Sequence, residues 1–436
     1  MIGRLAAAPV FAAAALAAGC AVAAEPVVVY DVKAGDSLYA LAGRYFIRLS
    51  DYREVQRRNH VRQPRRMPVG LKLEVPTRVL RTEPVEARLG AFRGPVNVST
   101  AGRAAAASAG LLVREGDLVA TGANAFARID MPDGSRVALP SQSRVRVERL
   151  RRTLLTGAVD RAFVVEVGRG ESTVTPLPTP QDRYIVRTPM SVSAVRGTEF
   201  HVRYDPERHS AATEVVSGLV AVTADQDRSA SVPAAYGVAV GASGALHPTP
   251  LPAAPALLRP DKAQDEPKVV FDVAPVAEAR GYRIRLAADA GFLDAFAEAT
   301  ADGPQVVFEG VPDGDYFARV SVIGPEDLEG MPRTYAFERF LNTLDLSPMA
   351  TSKRGRERRY LFRWTAGGNG ERTYRYQLSR DGAATPVVDE AGLSETQITV
   401  TDLPPGAYVW RVMSRTFAKG RHIDKWSPPQ TFQIGR

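Results

Sequence analysis

Ala127-Arg128-Ile129-Asp130-Met131 alternates apolar with polar side chains, and Val145-Arg146-Val147-Glu148 repeats the pattern. A period of two is the mark of a half-buried strand. Asp133-Gly134-Ser135, lying between them, is hairpin-turn chemistry. Phe163-Val164-Val165-Glu166-Val167 is more continuously apolar, and glycines at 116, 122, 168, 170, 197 and 218 punctuate the surroundings. Helical periodicity is absent, so residues 86–245 are expected to form an all-β domain, a roll or a sandwich.

Several motifs in this region carry a family resemblance. Gly116-Asp117-x-Val119-x-Thr121-Gly122 opens the series, and Asp133-Gly134-Ser135-x-Val137-x-Leu139-x-x-x-Ser143 follows. Thr188-Pro189 and Val195-Arg196-Gly197-Thr198-x-Phe200 come next, and Glu214-Val215-x-x-Gly218-x-Val220 closes it. The stretch resembles the FecR domain. The founding members of that family are envelope regulators of a cytoplasmic sigma factor, with a cytoplasmic N-terminal segment and a single membrane span. Neither feature is seen in this sequence, so the resemblance implies a periplasmic β domain used for protein contacts rather than the regulatory mechanism itself. Gly197 is expected to serve a backbone conformation closed to other residues, and Arg196 to cross-link loops or meet a partner's carboxylate. Glu199 and His201 share one face of a strand without a third partner, so no metal site is assigned.

Toward the C-terminus, Pro248, Pro250, Pro252, Pro255 and Pro260 mark residues 246–262 as a semi-rigid linker. Two segments then share one pattern. Residues 263–347 carry Phe271, Tyr282-Arg283-Ile284-Arg285-Leu286 and Gly314-Asp315-Tyr316-Phe317-Ala318-Arg319-Val320; residues 355–436 carry Trp364, Tyr374-Arg375-Tyr376-Gln377-Leu378 and Tyr408-Val409-Trp410-Arg411-Val412, ending with Trp426-Ser427. Aromatics at alternate positions with Gly and Pro turns suit β-sandwiches, and both segments resemble fibronectin type III-like modules. Core packing is the expected role of Trp364, Trp410 and Trp426, with a sugar-stacking platform as the alternative. Gly367-Gly368-Asn369-Gly370 reads as a hairpin loop; no lysine and helix follow it, as a phosphate cradle requires.

Residues 27–77 read as strand, helix, helix, strand. Val29-Tyr30-Asp31-Val32 alternates, Gly35-Asp36-Ser37 turns and caps, and Leu38, Leu41, Ala42 and Tyr45 recur at helical spacing. Tyr52, Val55 and Gln56 place a second helix ending near Asn59; after Gly70, Leu71, Leu73 and Val75 alternate into a closing strand. The order Tyr30-x-Val32-x-x-Gly35-Asp36-Ser37-Leu38, Leu41-Ala42, Tyr45, Asn59, Gly70 and Leu73-x-Val75-Pro76 resembles the LysM domain. That resemblance implies binding of N-acetylglucosamine-containing glycans, chiefly peptidoglycan or chitin, in a shallow groove between two loops. Carried over by position, Gly35, Asp36, Ser37, Leu38 and Tyr39 fall on one wall and Asn59, His60 and Val61 on or near the other. The alternative is that Gly35, Asp36 and Asn59 only shape turns and caps. Residues 25–80 hold eleven Lys or Arg against six Asp or Glu, and Arg57, Arg58, Arg62, Arg65 and Arg66 cluster at the second loop. They form either a basic rim for the carboxylates of peptidoglycan peptides or a solvated face.

The N-terminus reads as an address. After Arg4, an apolar stretch from Leu5 to Ala18, broken by Pro9, is too short for a membrane helix but suits a signal-peptide core. Val22-Ala23-Ala24 supplies small residues for cleavage, which makes residues 1–24 a signal peptide and the protein an exported one, in a bacterial periplasm. The rival reading is a lipoprotein box, Leu16-Ala17-Ala18-Gly19-Cys20, in which Cys20 is lipidated and the protein is carried to the outer membrane.

The whole chain has 436 residues, 45% hydrophobic and 24% charged, with one Cys and a formal net charge of +8. One Cys excludes a disulfide scaffold and a cysteine-ligated zinc site, and the five His are scattered. The basic excess favours acidic partners, but neither a groove-entering element nor a stacking platform for nucleic acid is visible. No nucleophile elbow, HExxH pattern or Walker loop appears, so no catalytic residues and no cofactor are expected. The sequence thus describes a multidomain, mainly β chain: a small βααβ LysM-like domain, an all-β FecR-like domain and two β-sandwich modules. The expected function is non-catalytic peptidoglycan binding, with the β modules presented to other envelope proteins. The alternative is a FecR-like periplasmic signalling or sensing component linked to transport or sigma-factor regulation.

Overall fold

A computed structural model of the chain describes residues 26–435 apart from 101, 225–227, 242–244 and 419. The signal-peptide and Cys20 readings fall outside the described residues. The fold is mainly β, as expected, and among the described residues α-helix is confined to the N-terminal region. Two compact units form: one runs up to Pro84 and takes in Arg151–Asp160 and Thr179–Asp182; the other comprises Val85–Leu150, Arg161–Pro178 and Arg183–Arg436.

In the first unit, β1 (Val27–Asp31), α1 (Leu38–Tyr45), α2 (Tyr52–Arg58) and β2 (Lys72–Pro76) follow in the expected order. β1 and β2 pair antiparallel, from Val27 opposite Pro76 to Asp31 opposite Lys72. Helices of seven and eight residues are too short to persist alone, so packing must hold them. The apolar stripe of α1 supplies Leu38, Leu41 and Ala42 to a core completed by Val28, Tyr30, Val55, Leu73 and Val75. Ser37 caps α1, its Oγ accepting from the Ala40 amide at 3.1 Å. Leu155 belongs to the same core although it is distant in sequence.

The second unit holds the region of the opening alternation. Residues 127–130 pair with 136–139 across the Asp133-Gly134-Ser135 turn. The Asp133 carboxylate accepts from the Ser135 amide and hydroxyl, both at 3.1 Å, and meets the buried Arg161 guanidinium at 2.8 Å. Further antiparallel pairs join 168–173 to 199–204, 199–205 to 210–217, 211–215 to 236–240, and 191–195 to 220–224. Val119, Ile129, Val137, Val147, Phe163, Phe200, Val202 and Val222 point inward and are fully or almost fully buried. Gly197 has φ +139°, and a Cβ there would lie 2.9 Å from Pro176 Cα. The Arg196-Gly197-Thr198 signature thus needs glycine both for its backbone conformation and for close approach.

Two sandwich modules complete this unit. In the first, the sheet of Ala295–Ala301, Gly281–Ala287, Gly314–Ile323 and Arg333–Arg339 faces the pair Val269–Asp272 and Gln305–Phe308 across one core. In the second, Glu357–Gly367 with its neighbours faces Arg372–Arg380 and Gly406–Ala418. Trp364 and Trp410 are buried among Phe362, Tyr374, Tyr376 and Tyr408. Trp426 is half-buried, with the Arg411 guanidinium 4.2 Å from its ring centroid. Gly367-Gly368-Asn369-Gly370 is not a hairpin: it carries the chain from one sheet to the other, because its flanking strands pair with different partners. Gly368 at φ +105° leaves no room for a side chain, since a Cβ would fall within 2 Å of the Leu341 carbonyl oxygen.

The proline-rich stretch 246–262 has several footholds. Thr249–Pro250 pairs with Tyr236–Gly237, the Leu251 amide donates to Ala235 O at 2.9 Å, and Met331 N donates to Pro252 O at 2.9 Å. Leu257 enters the first sandwich core. Among the described residues no helix is long and apolar enough to cross a membrane, which says nothing about strands.

Candidate functional site

The two loops named from sequence in the first unit lie side by side, joined by the Leu38 amide donating to Pro64 O at 2.8 Å. Their residues do different work. Gly35 takes φ +87° at the turn. Asp36 accepts from the Tyr30 hydroxyl and the Lys33 amide, both at 2.8 Å. Burial and this bond to Asp36 push the Tyr30 phenol up to about 12. Ser37 is occupied as the helix cap, and Leu38 is 0% exposed. Asn59 clamps α2 to β2, donating to Val55 O and Glu74 O at 2.8 Å and accepting from Glu74 N at 2.7 Å. Val61 is buried; His60 is exposed with φ 51°. Tyr39, 54% exposed, is the one large hydrophobic side chain among these eight that presents a face to solvent. Its ring meets Tyr52 edge-on at 5.7 Å. Arg57, Arg58, Arg62, Arg65 and Arg66 are all exposed. Arg58 is paired with Glu74 at 3.2 Å, so part of this basic cluster serves the fold.

The second unit contains a buried charge cluster that joins the FecR-like region to the first sandwich. Glu329, 3% exposed, is its centre. One of its carboxylate oxygens takes both Arg169 Nη1 and Arg283 Nη1, the latter at 2.6 Å, and the other accepts from Ser321 Oγ at 2.6 Å. Its amide donates to Glu214 Oε1 at 3.0 Å, and Glu214 also stands 3.7 Å from Arg169. Arg285 reaches back to both oxygens of Glu171 at 2.7 Å. Strand alternation builds this arrangement. Arg283 and Arg285 leave Gly281–Ala287 on the face opposite Tyr282, Ile284 and Leu286, which fill the sandwich core. Arg169 and Glu171 share a face of their own strand in the same way.

Electrostatics in the cluster run against burial and overcome it. Desolvation disfavours charge on Glu171, yet Arg285, His201 and Arg169 hold its carboxyl at about 2. Glu329, also desolvated, is held well below the usual carboxylate range by Arg169, Arg283 and Arg285. Arg169, desolvated in its turn, is raised by Glu329, Glu214 and Glu171. A carboxyl depressed on folding stabilises the fold above its unfolded pKa, and that contribution disappears as pH falls through the folded one. We expect these two carboxylates to contribute constant stability from pH 7 down to about pH 5, because an unfolded Glu titrates near 4.3. Their contribution should decline from about pH 4.5 to pH 2, by up to roughly 1.4 kcal/mol per pH unit for each group. Urea midpoints at pH 7, 5, 3.5 and 2.5 would show it; a loss already complete at pH 5 would contradict it.

Sequence reading missed this cluster. Arg283 and Arg285 were visible as alternating cations, but alternation alone makes them a solvated face. Glu171 and Glu329 carried no motif. The available signal was Glu214, part of the closing motif of the FecR-like series, which is 1% exposed. Among the described residues no group of three or more His, Cys, Asp or Glu is arranged to hold a metal.

Comparison with known proteins adds one assignment. No curated protein matches the chain. Among solved structures, a "putative anti-sigma factor" from Parabacteroides distasonis is similar at 21% identity, covering 30% of this chain and 59% of that one, with a TM-score of 0.26. The chain therefore spans about three-fifths of that protein's length. The human OSCAR ligand-binding domain matches at 16% identity over 42% of this chain and 99% of that one, TM-score 0.16. The FN1-FN3 domains of chicken CNTN1 match at 14% over 58% and 96%, TM-score 0.20. Similarity this low carries no functional argument. The family model described as FecR protein matches residues 117–221, so the all-β segment bearing Asp133-Gly134-Ser135, Arg196-Gly197-Thr198 and Glu214 is a FecR domain.

Proposed function

We propose that the protein is a non-catalytic component of envelope signalling or sensing, exported to the periplasm, whose FecR domain makes the regulatory protein contact. The observation that carries this reading is the family match over residues 117–221. The buried cluster around Glu329 supports it, because it ties that domain to the following sandwich as one body that can pass on a contact. Leu219, 57% exposed on a strand of the matched segment, is an apolar position open to a partner. A photo-crosslinking amino acid placed there in living cells should capture one envelope protein reproducibly. Loss of that adduct when the partner's gene is deleted would confirm the pairing, and no adduct above background would count against the reading.

A second reading, tethering to peptidoglycan, is favoured by one observation: Tyr39 stands exposed where two adjoining loops of the βααβ unit meet. Aromatic faces suit sugar rings, and loop amides suit acetamido groups. Weak tethering would raise the effective concentration of the FecR domain at the wall. Tyr39→Ala should lower cosedimentation with purified sacculi about tenfold, the equivalent of roughly 1.4 kcal/mol, and leave the melting curve unchanged. Asp36 and Leu38 are unsuitable for this test, since one holds Tyr30 and the other is core. Undiminished sedimentation of Tyr39→Ala would remove this face from consideration.

A further inference from the structure

Within the second unit, beside the charge cluster, lies a cavity of about 100 Å³ lined from both the FecR domain and the first sandwich. Its polar lining includes a buried imidazole. His201 is 8% exposed, and its ring makes no hydrogen bond to any described residue. Arg319 and Arg136 also line it, neither with a carboxylate within 4.0 Å among the described residues; Glu171, Glu199 and Asp289 act on Arg319 only from farther away. The Arg319 guanidinium stacks 4.0 Å from the centroid of Phe292. The other lining cations are already paired: Arg93 with Asp294, Arg128 with Asp130 and Arg285 with Glu171. Glu199 is the remaining acid, so Arg319 and Arg136 alone leave one positive charge in excess, before His201 is counted. Phe126 and Leu139 supply apolar wall.

A short loop closes one side. Asp289 fixes it, accepting from the Leu293 and Asp294 amides at 3.1 and 2.8 Å, while Arg128 Nη1 donates to Leu293 O at 3.3 Å. Phe292 is held at φ 56°, a conformation rare for a bulky residue. Such strain is retained where surrounding structure over-determines it, often at ligand clamps. Here it keeps the ring against Arg319.

We propose that this cavity binds a small monocarboxylate with a compact apolar body, its carboxylate received by Arg319, Arg136 and His201. A planar guanidinium backed by an aromatic ring presents its donor edge to a carboxylate. The apolar wall covers the rest of the ligand. Glu199, with Glu171 nearby, repels a second anionic group, which selects a monoanion over a dianion. Because the lining comes from both modules, the ligand would also bear on how firmly they are joined. This site stands apart from the signalling reading and can fail or succeed without it.

Titration calorimetry on the full chain, with benzoate as probe and succinate and benzyl alcohol as controls, tests the proposal. Benzoate should bind saturably at one site per chain, and both controls at least tenfold more weakly. Arg319→Met should weaken benzoate at least tenfold. Ala138→Leu, which fills the cavity without altering a charge, should do the same with an unchanged melting curve and decides the matter if Arg319→Met is unstable. Absence of saturable benzoate binding, equal binding of benzyl alcohol, or full affinity in Ala138→Leu would overturn it.

Discussion

Glu329→Ala is expected to destabilise the second unit by about 3–5 kcal/mol, the cost of stripping one partner from a buried ion cluster. Arg169 and Arg283 would lose the carboxylate they share, and Ser321 would lose its 2.6 Å acceptor, keeping only the Arg283 carbonyl at 3.5 Å. Glu214 alone cannot replace it, standing 3.7 Å from Arg169. The loss comes mainly from buried charges left with only their longer contacts, Arg169 with Glu214 and Glu171 and Arg283 with Glu298 at 3.7–3.8 Å, not from the net worth of the pairs. Glu329→Gln should therefore fall between wild type and Glu329→Ala, since an amide still accepts from one guanidinium and leaves the charge unbalanced. Equilibrium urea unfolding measures all three proteins; a Glu329→Ala loss below about 1 kcal/mol would mean that water replaces the carboxylate, and the cluster would not be the joint described here.

Trp410→Ala carries a comparable cost in a different module. Its ring is 1% exposed and packs 5.0 Å from Phe362 and 5.9 Å from Tyr376, centroid to centroid. Truncating a buried tryptophan costs about 3–5 kcal/mol, through lost burial and the cavity left behind. The last sandwich should melt earlier and more broadly, and the Glu329 cluster should be unaffected, because no residue is shared between the two. Differential scanning calorimetry would separate the transitions. An unperturbed melt in Trp410→Ala would contradict the core role.

What sequence alone could say depended on periodicity. Leu38, Leu41 and Ala42 repeat every three to four residues, and they are the buried stripe of α1. Ala127, Ile129 and Met131 repeat every two, as do Val145 and Val147, and all five are buried in the FecR domain. The same logic failed where one rule served two environments. Arg283 and Arg285 alternate with core residues as solvent-facing cations would, yet the face they occupy is covered by the FecR domain. Local pattern carries no information about what covers a face. Leu155 was equally hidden: a ten-residue segment crosses into the first unit and packs with residues more than seventy positions earlier. The four-residue Gly-rich loop looked like a hairpin because turn chemistry does not specify which strand comes next.

For the candidate glycan face, sequence located the loops but could not assign roles within them. Asp36, Ser37 and Asn59 satisfy backbone and phenolic groups of their own unit. Capping and ligand binding call for the same residue types, so only the bonding pattern tells them apart.

The most direct test of a signalling role is transcript profiling of a strain lacking this chain, complemented with wild type or with Tyr39→Ala. The expected result is a shift in a transport system or a sigma-factor-dependent set of genes on deletion, fully restored by wild type and reduced or restored by Tyr39→Ala according to whether wall attachment is needed. An unchanged transcript profile in the deletion strain, with sacculus binding by the wild-type protein intact, would contradict signalling and leave a wall-bound scaffold in its place.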